Sequence, residues 1–117
     1  MTSLIACLST GKGTWGHVSR IMEDEKWDKV FLITNEFGKE NFQNTKNTEL
    51  IIIDSNKGLK ELQKDIVDQL KDKIEGEVAL NIVSGTGKEH MALLSALLKL
   101  GLGIRLIALT KDGVEEI

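Results

Sequence analysis

The chain has 117 residues, 41% of them hydrophobic and 28% charged, which describes one domain with material for a single core. Fifteen Lys and Arg against eighteen Asp and Glu give a formal charge of -3, which argues against a general DNA or RNA binder, because sequence-independent binding needs a basic surface. One cysteine excludes a disulfide framework and a cysteine-based metal site within one chain, and two histidines give little for a metal site of any other kind.

Eleven glycines and no proline leave glycine as the main punctuation, and strands and helices alternate between the breaks. Residues 4–9 (LIACLS) are a short apolar run, a first strand. Residues 14–23 place Trp15, Val18, Ile21 and Met22 at helical spacing. Residues 29–34 (KVFLIT) are β-branched and aromatic, a second strand. Residues 35–47 are polar and weakly patterned, a loop with room for one short helix. Residues 50–53 (LIII) make a third strand. Residues 58–75 carry Leu59, Leu62, Ile66, Leu70 and Ile74 on one face, an amphipathic helix. Residues 77–83 give a fourth strand, 89–100 a helix and 104–109 a fifth strand. After the turn Lys111-Asp112-Gly113, residues 114–117 can fold back as a short antiparallel edge strand.

Apolar strands without alternation are buried on both faces, as in a parallel sheet covered by helices. The expectation is one α/β domain over residues 1–117: three layers, right-handed crossovers, and a mostly parallel sheet of five strands plus the antiparallel edge. No apolar run reaches membrane-spanning length, and the start MTSLIACLSTGKG has neither a basic n-region nor a cleavage site. A cytoplasmic protein without membrane contact, metal or cofactor is therefore expected.

In such a sheet, ligands bind beyond the carboxyl ends of the strands. Two glycine loops fall at that edge. In Ser9-Thr10-Gly11-Lys12-Gly13-Thr14-Trp15-Gly16, the three glycines have G-x-G-x-x-G spacing, and Glu36 follows twenty residues on from Gly16. This pattern lets a backbone approach phosphate at a helix N-terminus, with the acid on a ribose. It also fits a plain strand-to-helix turn, with Lys12 either a phosphate contact or a solvated lysine. In Ser84-Gly85-Thr86-Gly87-Lys88-Glu89-His90, Thr86 and Glu89 have capping-box spacing, so free N–H groups would open the next helix toward an anion. A capped helix with an exposed lysine is the plainer alternative. The segment is not a Walker A loop, which would need glycine at Ile82 and Ser or Thr at Glu89. Cys7, Trp15 and Trp27 read as packing residues, and His17 and His90 as surface or capping residues near the two loops, with contact to a ligand the alternative for each. The helix over 89–100 is apolar nearly all round, and a chain this small has little to cover both of its sides, which points to a homodimer contact.

The segment Leu80-Asn81-Ile82-Val83-Ser84-Gly85-Thr86-Gly87-Lys88-Glu89-His90-Met91-Ala92 resembles the signature of CRISPR-associated Rossmann-fold (CARF) domains, with one extra glycine between threonine and lysine. The glycine loop after the first strand and the closing antiparallel strand are similar too. The resemblance implies a homodimer whose two-fold axis carries a pocket for a cyclic oligoadenylate, in CRISPR-type defence signalling. Some members also open the ring, each ribose 2′-OH attacking the adjacent phosphate to leave 2′,3′-cyclic phosphate ends. That step needs donors for the growing phosphorane charge rather than a metal. It implies Lys88 and Ser9 in the chemistry, with Thr10, Gly11, Lys12, Gly13, Ser84, Gly85, Thr86, Gly87, Lys88 and His90 around the ligand. Two other readings remain beside it: a small NAD-binding or nucleotide-dependent protein using Gly11, Gly13, Gly16 and Glu36, and a dimerisation module whose glycine loops are turns only.

Overall fold

The computed structural model describes residues 2–8, 12–24, 27–42 and 47–117. Strand β1 (Ser3–Leu8) leads to a single 3-10 turn (Lys12–Thr14) and helix α1 (Trp15–Asp24). Then follow β2 (Val30–Thr34), α2 (Glu36–Asn41), β3 (Thr48–Ile52), α3 (Leu59–Leu70), β4 (Glu77–Asn81), α4 (Gly87–Lys99), β5 (Gly103–Thr110) and β6 (Gly113–Glu116). The sheet order is β3-β2-β1-β4-β5-β6. All pairings are parallel except β5–β6, which closes one edge antiparallel. The fold is thus a three-layer, Rossmann-like α/β sandwich.

The central strands β1, β2 and β4 are buried on both faces, which is why they read as unbroken apolar runs. On one face Ile5, Phe31, Ile33, Ile51 and Leu80 pack under Leu62, Ile66 and Leu70 of α3 and Leu93, Ala96 and Leu97 of α4. On the other, Leu4, Leu8, Leu32, Ala79 and Ile107 pack under Val18 and Ile21 of α1. Trp15 and Trp27 pack as expected. The Trp15 ring lies 5.9 Å from that of Phe37 and 6.1 Å from that of Phe42, and Trp27 Nε1 donates to the Ile21 carbonyl at 3.0 Å.

The ends of α3 and β4 differ from the sequence pattern, and the stretch over 35–47 holds the one short helix it had room for. The amphipathic spacing runs on to Ile74, but α3 stops at Leu70. Lys71 leaves helical geometry at ψ 144°, and Asp72 turns left-handed at φ 68°; Ile74 still packs on the core from the turn. β4 ends at Asn81, so Ile82 and Val83 leave the sheet. In the weakly patterned 35–47 stretch, Asn35 caps α2 by accepting from the Gly38 N–H at 2.9 Å. That helix lies tight on β2: a Cβ at Gly38 would sit 1.8 Å from Thr34 Oγ1. At the amino-terminal end of β3, the edge strand, Glu49 pairs with Lys29 at 3.2 Å and with Lys73. No helix among the described residues is long and apolar enough to cross a membrane.

Candidate functional site at the carboxyl edge

The strand order reverses at β1, with β2 on one side and β4 on the other, so the crevice beyond β1 and β4 is the switch point of the sheet. Both glycine loops leave from there. Ser9, Thr10 and Gly11 lie outside the described residues. Lys12 and Gly13 form the 3-10 turn that enters α1. Gly13 and Gly16 are exposed, with no described atom within 4 Å of a built Cβ and with backbones outside the left-handed region.

The loop after β4 is knit by its own side chains. Thr86 is the N-cap of α4: its hydroxyl accepts from the Glu89 N–H at 3.2 Å, and the Glu89 carboxylate accepts from the Thr86 N–H at 2.7 Å. This is the capping box that the spacing predicts. Its unexpected part is the burial of Glu89, which is only 3% exposed. The carboxylate fills part of the positive end of α4 itself. The first two N–H groups of the helix, those of Gly87 and Lys88, have no carbonyl one turn back to bond. Ser84 is buried, and its carbonyl takes the Nε2 hydrogen of His90 at 2.8 Å. That contact fixes the His90 tautomer with the proton on Nε2. Gly85 is required by the fold: its φ is +106°, and a Cβ there would lie 3.1 Å from Glu89 Oε1, 3.1 Å from His90 Nε2 and 3.3 Å from Cys7 Cβ. Gly87 has open space in place of a Cβ, like Gly13 and Gly16.

Lys88 is exposed, and its ammonium donates to the Ser55 carbonyl at 3.0 Å, in the connection between β3 and α3. The side chain thus reaches toward the β3 end of the same edge, and an anion over β1 or β4 would have to draw it from that single exposed bond. Beyond β2 and β3 lies an open cleft of about 590 Å³, lined among others by Asn35, Glu36, Phe37, Asp54, Lys57 and Asp65. Lys57 is tied to Asp65 at 2.9 Å, so Glu36 and Asp54 set an acidic tone there. Glu36, the first residue of α2, therefore sits on the same edge as the glycine loops but in a region suited to hydroxyls rather than phosphate.

Cys7, at the end of β1, is 1% exposed, and burial and then the neighbouring Glu89 charge push its thiol up to about 12. It offers no thiolate nucleophile. The residue whose part was least visible in the sequence is His17. It turns inward, its Nε2 facing the Asn81 carboxamide at 3.2 Å and the Leu109 N–H at 3.3 Å. Only the asparagine within an otherwise apolar strand hinted at a polar partner there. On the outer face of α4, Met91 (59% exposed) and Leu98 (69%) stay open, as does Val83 in the loop before it. No family model and no curated protein matches this chain.

Proposed function

We propose that the chain binds a phosphate-bearing nucleotide across the carboxyl ends of β1 and β4. The observation that carries this reading is a surplus of glycine. Gly13, Gly16 and Gly87 adopt backbone angles open to any residue, and no described atom crowds them. None of the three sits where a positive φ or a close described neighbour calls for glycine, so the described fold alone gives no use for them. A phosphate lying against bare backbone does, at a helix start whose N–H groups and dipole favour an anion. The resemblance around Thr86 and Lys88 makes cyclic oligoadenylate the ligand and a homodimer the binding form. The open stripe of Met91 and Leu98, with Val83 beside the edge, supports that assembly. Ring opening would require Lys88 to leave Ser55 for the phosphate.

The test pairs binding with stability. Cyclic tetra-adenylate at about a hundred times its Kd should stabilise the protein by about 2.7 kcal/mol in a thermal-shift assay. Gly16→Ala should stabilise the free protein by about 0.4–1 kcal/mol while weakening binding. Equal binding by both proteins removes the glycine argument, and a monomer in sedimentation at high micromolar concentration removes the two-fold pocket. A second reading, a dinucleotide with its ribose on Glu36, is favoured by the cleft beyond β2 and β3. It requires saturable NAD binding that Glu36→Ala abolishes.

A further inference from the structure

Strand β5 outruns β4. Their pairing stops at Leu80 with Leu106, and β4 itself ends at Asn81, whereas β5 continues to Thr110. Beyond that point β6 covers one side of β5, with Ile107 opposite Glu116 and Leu109 opposite Val114. The Ile117 N–H bonds the Leu106 carbonyl, so Leu106 points its backbone toward β6. By the alternation of a strand, Ile107 and Leu109 point theirs toward the side that β4 has left. A backbone group held out of water without a partner is costly; the Ile107 carbonyl is buried and the Leu109 N–H partly so.

Two side chains supply it. Asn81 Nδ2 donates to the Ile107 carbonyl at 2.9 Å, and the Leu109 N–H donates to His17 Nε2 at 3.3 Å. Asn81 Nδ2 and His17 Nε2 also meet at 3.2 Å, and Asn81 Oδ1 accepts from the Val83 N–H at 3.4 Å. The pair completes the ladder that β4 abandons, and Asn81 holds the first turn of the departing loop. A backbone N–H can only donate, so His17 Nε2 must be the acceptor. Only the neutral imidazole with its proton on Nδ1 can play that part, since the imidazolium carries a hydrogen on both nitrogens. His17 lies on α1 directly after Gly16, so the clasp ties the start of that helix to β4 and β5.

We propose that His17 is a positioning residue: in its Nδ1–H form it replaces the missing length of β4 on β5 and so fixes the glycine-bearing entry of α1 against the loop after β4. The positioning role rests on the nucleotide reading above; the clasp itself does not.

Three measurements on the full chain test it. Two-bond 1H–15N imidazole spectra should show His17 protonated on Nδ1 with a bare Nε2; a proton on Nε2 overturns the clasp. His17→Leu removes the acceptor, whereas His17→Gln keeps an oxygen acceptor at similar reach. Amide exchange at Leu109 should rise at least tenfold in the leucine variant and return toward wild type in the glutamine variant; unchanged exchange in the leucine variant overturns the clasp. Cyclic tetra-adenylate should bind at least tenfold more weakly to the leucine variant, with most of the affinity recovered in the glutamine variant. Wild-type affinity in a folded leucine variant overturns the positioning role. If the leucine variant does not fold, the glutamine variant decides, because loss of binding there despite protected Leu109 also overturns it. If the wild-type protein binds no nucleotide, the functional reading and the positioning role fall together, and the tautomer and exchange data still decide the clasp.

Discussion

The loop after β4 and the described entry to α1 stand at the same edge of the sheet and use their glycines differently. The loop after β4 is closed on itself: Thr86 and Glu89 cap α4, His90 holds the Ser84 carbonyl, and Gly85 is packed against three side chains. At the entry to α1, no described atom lies within 4 Å of a built Cβ at Gly13 or Gly16, and α1 is held at its start by a histidine directly after Gly16. The same residue type therefore has two meanings. Gly85 serves the fold, whereas Gly13, Gly16 and Gly87 have no described neighbour that calls for glycine, and the proposed function gives them a ligand to meet.

The sharpest way to break this comparison is Gly85→Ala. A left-handed φ of +106° and contacts near 3.1 Å combine strain and overpacking, so a loss of about 2–4 kcal/mol is expected in urea denaturation. A neutral outcome would place Gly85 with the spare glycines. Next is Lys88→Ala. Its bond to Ser55 is exposed, so the free protein should change by no more than about 0.5 kcal/mol. Affinity for cyclic oligoadenylate should fall by about 1.5–3 kcal/mol, the range for a charge-assisted hydrogen bond, as read by calorimetric titration. Unchanged affinity would make Lys88 a strut between two connections. Thr86→Ala should cost about 1 kcal/mol of stability from the lost cap, with Glu89 left to satisfy the helix start.

The smallest effect concerns Cys7, which lies under Gly85. Its folded value is raised to about 12 from 9.0, so the thiol form is favoured in the folded state. The associated stability is present below pH 9.0 and is lost as pH rises from there toward 12. At pH 9.5 the loss relative to neutral pH should be about 0.8 kcal/mol, and absent in Cys7→Ala. Iodoacetamide should label the wild-type thiol only on unfolding. Rapid labelling of the folded protein would mean that the loop after β4 opens without global unfolding.

Much of this architecture is legible in the sequence because the central strands are buried on both faces, and an unbroken run such as VFLIT has few other uses. The capping box was legible as well, being a contact over three residues. The end of α3 was not, since Ile74 keeps the helical period while its backbone has already turned at Asp72. Lys88 was readable as a residue of a helix start, but its reach to Ser55 depends on how α4 lies beside the connection after β3. His17 was the furthest from view. Its role follows from β5 being longer than β4, a difference of register between strands that no local pattern carries.

The ion pairs around Glu49 bear on how copies of this chain can join. The β3 strand is one lateral boundary of the sheet and has only five residues. Lys29 and Lys73 converge on Glu49 at its start, so a second sheet docking there would have to desolvate three charges to gain a short ladder. At the opposite boundary, β6 is four residues long and carries Glu115 and Glu116. Two such strands laid side by side would bring like charges together. Growth by sheet extension, the route to open-ended fibres, is thus blunted at both margins. Any association of copies then falls to the helical faces, as the proposed homodimer requires.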